Sequence, residues 1–331
     1  MKKGYSYILI LVFLSIIVIN SIRVFRPYKI NFAEIYIDKG SSTREIARML
    51  KDKGIISSKS LFLIITKLRG LDGKLGSGLY QFSDNYTINK VIDKLANGQV
   101  VKYKVVIPEG YNLQEISKLL ANHFKDKSIS DKHLINQNRF DSLVVDTIFI
   151  HSQGINASNL EGFLFPDTYY IPSDFTEEMI IKAILHNFRK QVYPLFHKVP
   201  CFDSLYNIIK LASIIEKETM LDNERPIISG VYHNRLKRNM LLQADPTVAY
   251  ALEQKKIFRK TIYYKDLKIN SPYNTYRYLG LPPTPICNPG LMSIKAAIHP
   301  ANTDYYYFFA RKGRHIFSNT YKQHLARRRN D

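Results

Sequence analysis

The sequence predicts an α+β fold, and three observations carry that expectation. Strand-like runs in the first third turn through a glycine into amphipathic helix. Long helical patterns at 177–193, 203–219 and 224–237 fill the second half, and a hairpin pattern, "YYYFFA-RKGR-HIFS", closes the domain. No run of regular βαβ units supports a doubly wound parallel sheet. With 331 residues, 45% of them hydrophobic and 12% aromatic, the chain is long enough for two domains with a sizeable core.

From the N-terminus, Lys2 and Lys3 precede an uncharged stretch, residues 4–22, "GYSYILILVFLSIIVINSI". A bilayer-spanning helix needs roughly 20 such residues. No small-x-small cleavage signal follows it, so it reads as an uncleaved transmembrane anchor over 4–24, after a short cytoplasmic end at 1–3. Lys2 and Lys3 are answered by Arg23, Arg26 and Lys29, so charge alone does not orient it. The 48 basic against 28 acidic residues give a formal charge of +20, which favours a polyanionic setting: nucleic acid, an anionic membrane surface or a wall polymer. A membrane anchor weakens the nucleic-acid reading, and no nucleic-acid motif is present. Two cysteines, Cys201 and Cys287, form no metal-type pair, and none of the nine histidines has zinc spacing, so neither a metal nor another cofactor is expected. Buried free thiols are the expectation for both cysteines, with one disulfide between them as the alternative in an extracytoplasmic domain.

A repeat follows the anchor. "IDKGSSTREIARML" (37–50) aligns without gaps on "IPEGYNLQEISKLL" (107–120), with Gly, Glu, Ile and Leu matched, and a weaker third copy runs over 78–98. Strand, turn, then a helix opened by Ser or Thr is a compact unit with a sensible N-cap. The stretch over 33–101 resembles the LysM-like module of bacterial wall enzymes, which implies placement near glycan. Residues 102–157 read as an inserted βα repeat and connector, and "NLEGFLFPDTYYIP" (159–172) as an aromatic strand and turn.

The helix over 203–219 holds the chemistry. Its apolar run "LASIIEKET" ends in two glutamates, Glu216 and Glu218. On a helical wheel they fall on opposite flanks of a polar stripe formed by Asn207, Lys210, Ser213 and Lys217. They cannot face each other, which excludes a retaining-glycosidase pair made from these two, since such carboxyls lie about 5 Å apart. Each stands alone and half-sheltered, where desolvation can raise a carboxyl toward general-acid range. The wheel does not choose between them. Arg225 and Arg235 are available as ion-pair partners, and Asp222 or Asn223 as a cap for the next helix.

"LASIIEKET", "ERPIISGVYHNRLKRNMLLQADPTVAYAL", "SPYNTYRYLGLPPTPICNPG" and "SIKAAIHPANTDYYYFFA" occur in that order, with "EGFLFPDTY" before them. Together they resemble the catalytic domain of the MltG-type (YceG-like) endolytic murein transglycosylases, over 102–331. That resemblance implies cleavage of the bond between N-acetylmuramic acid and N-acetylglucosamine without water. It also implies Glu216, the first glutamate of "EKET", as acid and then base, leaving Glu218 structural. One carboxyl suffices because the sugar's own C6 hydroxyl closes a 1,6-anhydro ring.

Further candidates come from the same motifs. Gln243 and Asp245 lie in "LQADPT", where Asp245 before Pro246 reads either as an N-cap or as a substrate contact. Asn274, Thr275 and Tyr276 in "SPYNTY" offer amide, hydroxyl and ring to a sugar and read as a cleft wall, with an Asn-Thr turn as the alternative. Glu161 is a second acidic group that either borders the site or holds a turn. His315 either faces the cleft or is an ordinary strand histidine. Asn288-Pro289 reads as a helix cap. Ala244 and Thr284 depart from the resembled pattern, which more often has Ser or Thr and Gly there. The expected partners are peptidoglycan strands, the membrane and wall-synthesis enzymes, with the enzyme held in the cytoplasmic membrane and its catalytic domain outside. A wall-binding scaffold without turnover is the rival reading.

Overall fold

The computed structural model describes residues 28–125, 135–196, 201–259 and 261–329. The anchor expected over 4–24 lies outside these residues, and no helix among the described ones is long and apolar enough to cross a membrane. The chain forms two compact units. One runs to Lys104 and reclaims Tyr170–Phe175; the other holds Val105–Tyr169 and everything from Thr176 onward.

In the first unit the order is β1 (Tyr28–Ile37), α1 (Thr43–Asp52), α2 (Lys59–Leu68), β2 (Gly78–Tyr86) and α3 (Ile88–Ala96). β1 and β2 pair antiparallel, from Ile37 opposite Gly78 to Tyr28 opposite Tyr86, with a bulge between Ile30 and Ala33. Strand alternation turns Ile35 and Ile37 inward against Tyr80 and Phe82, and the helices add Ile46, Leu50, Phe62, Val91 and Leu95 to one core. Each such side chain contributes about 1.5–3 kcal/mol on burial. Tyr170–Phe175 joins this unit through Ser173, whose Oγ accepts the Leu79 N–H (2.9 Å) and whose N–H donates to the Val101 carbonyl (2.9 Å). No pattern in the sequence marks that return.

The second unit begins within β3 (Lys102–Val106), which forms a two-stranded sheet with β4 (Thr168–Pro172). The aligned repeat copies open their helices in the same way. Ser42 and Glu45 form a capping box on α1, and Asn112 and Glu115 form its counterpart on α4 (Leu113–Lys125), with bonds of 2.8 to 3.2 Å. Two short helices, α5 (Gln137–Leu143) and α6 (Thr147–Ser152), occupy the connector, and α7 (Glu177–Val192) follows β4.

At the centre lies α8 (Phe202–Glu218), packed by α9 (Arg225–Lys237), α10 (Asp245–Gln254) and α11 (Leu291–Ile298). Leu205, Ile209, Leu211, Ala212, Ile214 and Ile215 are its buried residues, together with Ser213. Ser213 therefore leaves the polar stripe expected of it. Its hydroxyl donates to the Lys210 carbonyl (2.7 Å) and accepts the Ile286 N–H (3.0 Å), so it pins the proline-rich loop to the helix. The hairpin β5 (Tyr307–Arg311) and β6 (Arg314–Ser318) turns through Lys312 and Gly313, both at positive φ. A further helix, α12 (Tyr321–Arg329), follows it. The cysteines are both free, Cys287 buried as expected and Cys201 exposed.

Three expected caps are absent. Ala244, not Asp245, is the N-cap of α10, and Asp245 begins the helix with Pro246 second. Asn288 lies before the N-cap of α11, which is Gly290. Glu224 takes the N-cap position of α9, while Asp222 turns to accept from Arg225 Nε (3.0 Å). Asp245 and Asn288 bond distant partners instead, whereas Asp222 bonds Arg225 only three residues on.

Candidate active site

α8 and the segments after it build one open cleft of ≈ 720 Å³ in the second unit. Glu218, the last residue of α8, lines it with Arg235, Gln243, Asp245, Tyr276 and His315, and with tyrosines that include Tyr263, Tyr264 and Tyr307. Glu218 is partly exposed and accepts a hydrogen bond of 2.5 Å from Tyr232 Oη. Burial pushes its carboxyl up to about 7, and the charge of Asp245 adds to that, against the pull of Tyr232 and Arg235. A carboxyl that titrates near neutrality in a cleft can give a proton and take one back.

Glu216 points elsewhere, as two residues on a helix must, being about 200° apart. Its Oε2 accepts the Gly290 N–H (3.0 Å) and lies 3.2 Å from Arg225 Nη1, in an ion pair whose side chains are 7% and 6% exposed. Arg225 also donates to Ser293 Oγ and Asp222. A second carboxylate, Glu109, lies against the same turn, and a Cβ on Gly290 would sit 1.9 Å from Glu109 Oε1. Burial and then the proximity of Glu216 raise the Glu109 carboxyl, while Arg225 opposes them. The two glutamates of "EKET" thus have separate surroundings, one locked in a buried ion pair and one in the cleft.

Among the other candidates, Gln243, Asp245 and Tyr276 come together beside Glu218. Gln243 adopts φ 50°, its N–H donates to the Thr275 carbonyl (3.0 Å), and Asp245 Oδ1 accepts the Tyr276 hydroxyl (2.5 Å). Asn274 and Thr275 are buried behind them. The Asn274 amide donates to the carbonyls of Leu267 and Ile269 (2.9 and 2.8 Å), and Thr275 Oγ1 accepts the Ala244 N–H (3.0 Å) and bonds Thr247 Oγ1. These two build the wall without lining it. Thr284 is likewise buried, bonded to Tyr273 Oη (2.9 Å).

Glu161 does not reach this cleft. It is 2% exposed and lines a separate cavity of ≈ 400 Å³ with Asn112 and Tyr250. Leu113 N, Tyr250 Oη and Asn288 Nδ2 all donate to it at 3.1 to 3.3 Å, and burial pushes its carboxyl up to about 8. It is a structural hub that joins α4, α10 and the proline-rich loop.

Reasoning from sequence missed Tyr232, Arg235 as a cleft residue, and Glu224. The sequence offers Arg235 as an ion-pair partner. It instead donates to the carbonyls of Tyr306 and Leu242 (both 2.7 Å) and stacks near Tyr307, its guanidinium 5.3 Å from the ring centre. The one available signal was spacing: Tyr232 and Arg235 are three apart on α9 and so share a face.

An α+β domain with a tyrosine-walled cleft that holds a carboxyl at a helix end is the class that fold and site define. Residues 35–330 match the YceG-like family, and the chain belongs to it. The endolytic murein transglycosylase of Bacillus subtilis (strain 168) is 35% identical over 302 residues, covering 88% of this chain and 82% of that one. The endolytic murein transglycosylase of Streptococcus pneumoniae serotype 2 is 27% identical over 97% of this chain, which spans 60% of its length. A yceG-like protein of Listeria monocytogenes, known from a crystal structure, is 30% identical with a TM-score of 0.58, covering 89% of this chain and 98% of that one.

Proposed function

We propose that this protein is a membrane-anchored peptidoglycan lytic transglycosylase that cuts within glycan strands, with Glu218 as its general acid and then its base. The relatives' shared name supports the class, a lyase acting on murein. The placement of Glu218 supports the residue: of the two "EKET" glutamates it alone lines the cleft, with its carboxyl raised to about 7. Protonated Glu218 gives its proton to the leaving glycosidic oxygen between N-acetylmuramic acid and N-acetylglucosamine. The carboxylate so formed takes the proton of the C6 hydroxyl as that oxygen bonds to the anomeric carbon, and a 1,6-anhydro end results. Neither a water nor a glycosyl-enzyme is needed, so no second carboxyl has to stand at the ~5 Å of a nucleophile. The charge of Asp245 across the cleft favours the positive character that develops on the sugar ring. Glu216, assigned by resemblance, is better read as the partner of Arg225, holding the Gly290 turn.

The β1-α1-α2-β2 order supports the LysM-like reading of 33–101, and the apolar stretch at 4–22 an anchor in the cytoplasmic membrane with the cleft outside. The anchor would also bring the enzyme close to wall-synthesis enzymes. Full-length protein in detergent, incubated with uncrosslinked glycan strands and followed by mass spectrometry, tests the reaction. Internal cuts bearing 1,6-anhydro ends are expected. Reducing ends would make it a hydrolase, and binding without cutting would leave a wall-binding scaffold.

A further inference from the structure

The cleft holds a second proton-bearing couple that the proposed reaction does not use. β6 carries His315 into the cleft opposite Ala310 of β5. Glu224, at the N-cap of α9, grips it twice: Oε1 accepts the His315 backbone N–H (3.0 Å), and Oε2 faces ring Nδ1 at 2.6 Å. Thr219, the residue after Glu218, donates its hydroxyl to the same Oε2 (3.3 Å). The side chains of His315 and Glu224 are 10% and 8% exposed. Phe308 meets the imidazole edge to face (centroids 5.3 Å apart, 84°), and Phe308 also meets Tyr232, the donor to Glu218, at 5.8 Å.

This arrangement fixes more than a strand. The backbone bond alone would tether β6 to Glu224. The second bond sets the tautomer: a carboxylate at Nδ1 requires a proton there, so the neutral ring presents Nε2 as an acceptor. Burial works against ionisation of Glu224, yet the His315 bonds outweigh it and hold its carboxyl below the ordinary range. Nε2 has no hydrogen bond to any described residue. An oriented acceptor on a cleft wall suits a ligand rich in hydroxyl donors.

We propose that His315, oriented by Glu224, is a substrate-contacting residue whose Nε2 accepts a hydrogen bond from a hydroxyl of the sugar being cleaved and holds that sugar in place for ring closure. No proton changes hands at His315. The proposal rests on the glycan-cleaving reading above.

Two substitutions separate this role from scaffolding. His315→Asn places an amide near Nδ1 and so keeps a donor for Glu224, but it removes the Nε2 position. His315→Gln reaches the Nε2 position with an amide whose oxygen can accept. Full-length variants in detergent are assayed for kcat and KM on uncrosslinked glycan strands and for thermal midpoint. His315→Asn should lose at least ~10-fold in kcat/KM, the order of one hydrogen bond to a substrate, with an unchanged midpoint. His315→Gln should recover most of that loss. Activity of His315→Asn within threefold of wild type overturns the proposal, as does equal loss in both variants with a lowered midpoint. If wild type cuts and Glu218→Gln does not, that failure belongs to His315 alone. Wild-type protein that cuts no strand at all brings down the glycan-cleaving reading and this inference together.

Discussion

At the scale of the residue, chemistry follows from which glutamate is locked and which is left in the cleft. A helical wheel separates Glu216 from Glu218 correctly, because 100° per residue is a property of the backbone. It carries no information on what packs against each flank. That depends on Gly290 and Arg225 for one and Tyr232 for the other, the glycine more than 70 positions away. Resemblance named the motif and its first glutamate, and the proposal moves the role to Glu218 on the placement of the two side chains. The raised carboxyl of Glu218 has a kinetic consequence. A general acid must be protonated in the free enzyme, so kcat/KM should fall as pH rises through about 7. A thermodynamic consequence accompanies it. The folded state keeps a proton that the unfolded chain releases near its ordinary value of 4.5, so Glu218 lowers stability progressively as pH rises from 4.5 through about 7. Glu218→Gln should flatten that part of the stability curve, as read from thermal midpoints between pH 4 and 8.

At the scale of the element, the most legible features were those set by local rules. The three long helices read at 177–193, 203–219 and 224–237 begin and end within one residue of that reading, whereas α12 went unread, and the Lys312-Gly313 turn marks the hairpin. Matched Glu45 and Glu115 close equivalent caps in the aligned copies, so part of the repeat is capping chemistry. The misplaced caps at Asp245 and Asn288 share a cause. Each side chain finds a stronger tertiary partner, Tyr276 for Asp245 and, for Asn288, the buried Leu164 N–H, Tyr111 carbonyl and Glu161. Gly162 shows how such a hub is assembled. It adopts φ +87°, and a Cβ there would lie 2.6 Å from both Ile209 of α8 and Pro285. Gly162→Ala combines left-handed strain with overpacking, each on the order of 1–3 kcal/mol. A drop in thermal midpoint of several degrees is the expected result, and an unchanged midpoint would show that the loop is not pinned there.

At the scale of the whole molecule, composition bounds the setting and leaves the activity open. A charge of +20 suits anionic wall polymers and lipid headgroups equally. What narrows it is the apolar stretch at 4–22, and with it comes a length argument. If the anchor and the LysM-like unit set how far from the membrane strands are cut, residues 23–32 act as a spacer. Ten inserted residues there add at most ~35 Å of reach. Product strands should lengthen when sized by chromatography and mass spectrometry, and an unchanged distribution would remove the spacer from the account. The return of Tyr170–Phe175 to the first unit was invisible in the sequence, because its partners Leu79 and Val101 are backbone groups that no side-chain pattern records.

The central claim is that the proton is moved by Glu218, and comparison of Glu218→Gln with Glu216→Gln tests it most directly. Both full-length variants are incubated with uncrosslinked glycan strands, and 1,6-anhydro ends are quantified against wild type. Loss of a general acid costs about 10²–10⁴-fold. That loss is expected in Glu218→Gln, whereas Glu216→Gln should form anhydro ends at a rate limited only by its lowered stability. Abolished turnover in a folded Glu216→Gln, with Glu218→Gln still active, would contradict the account and return the role to the first glutamate.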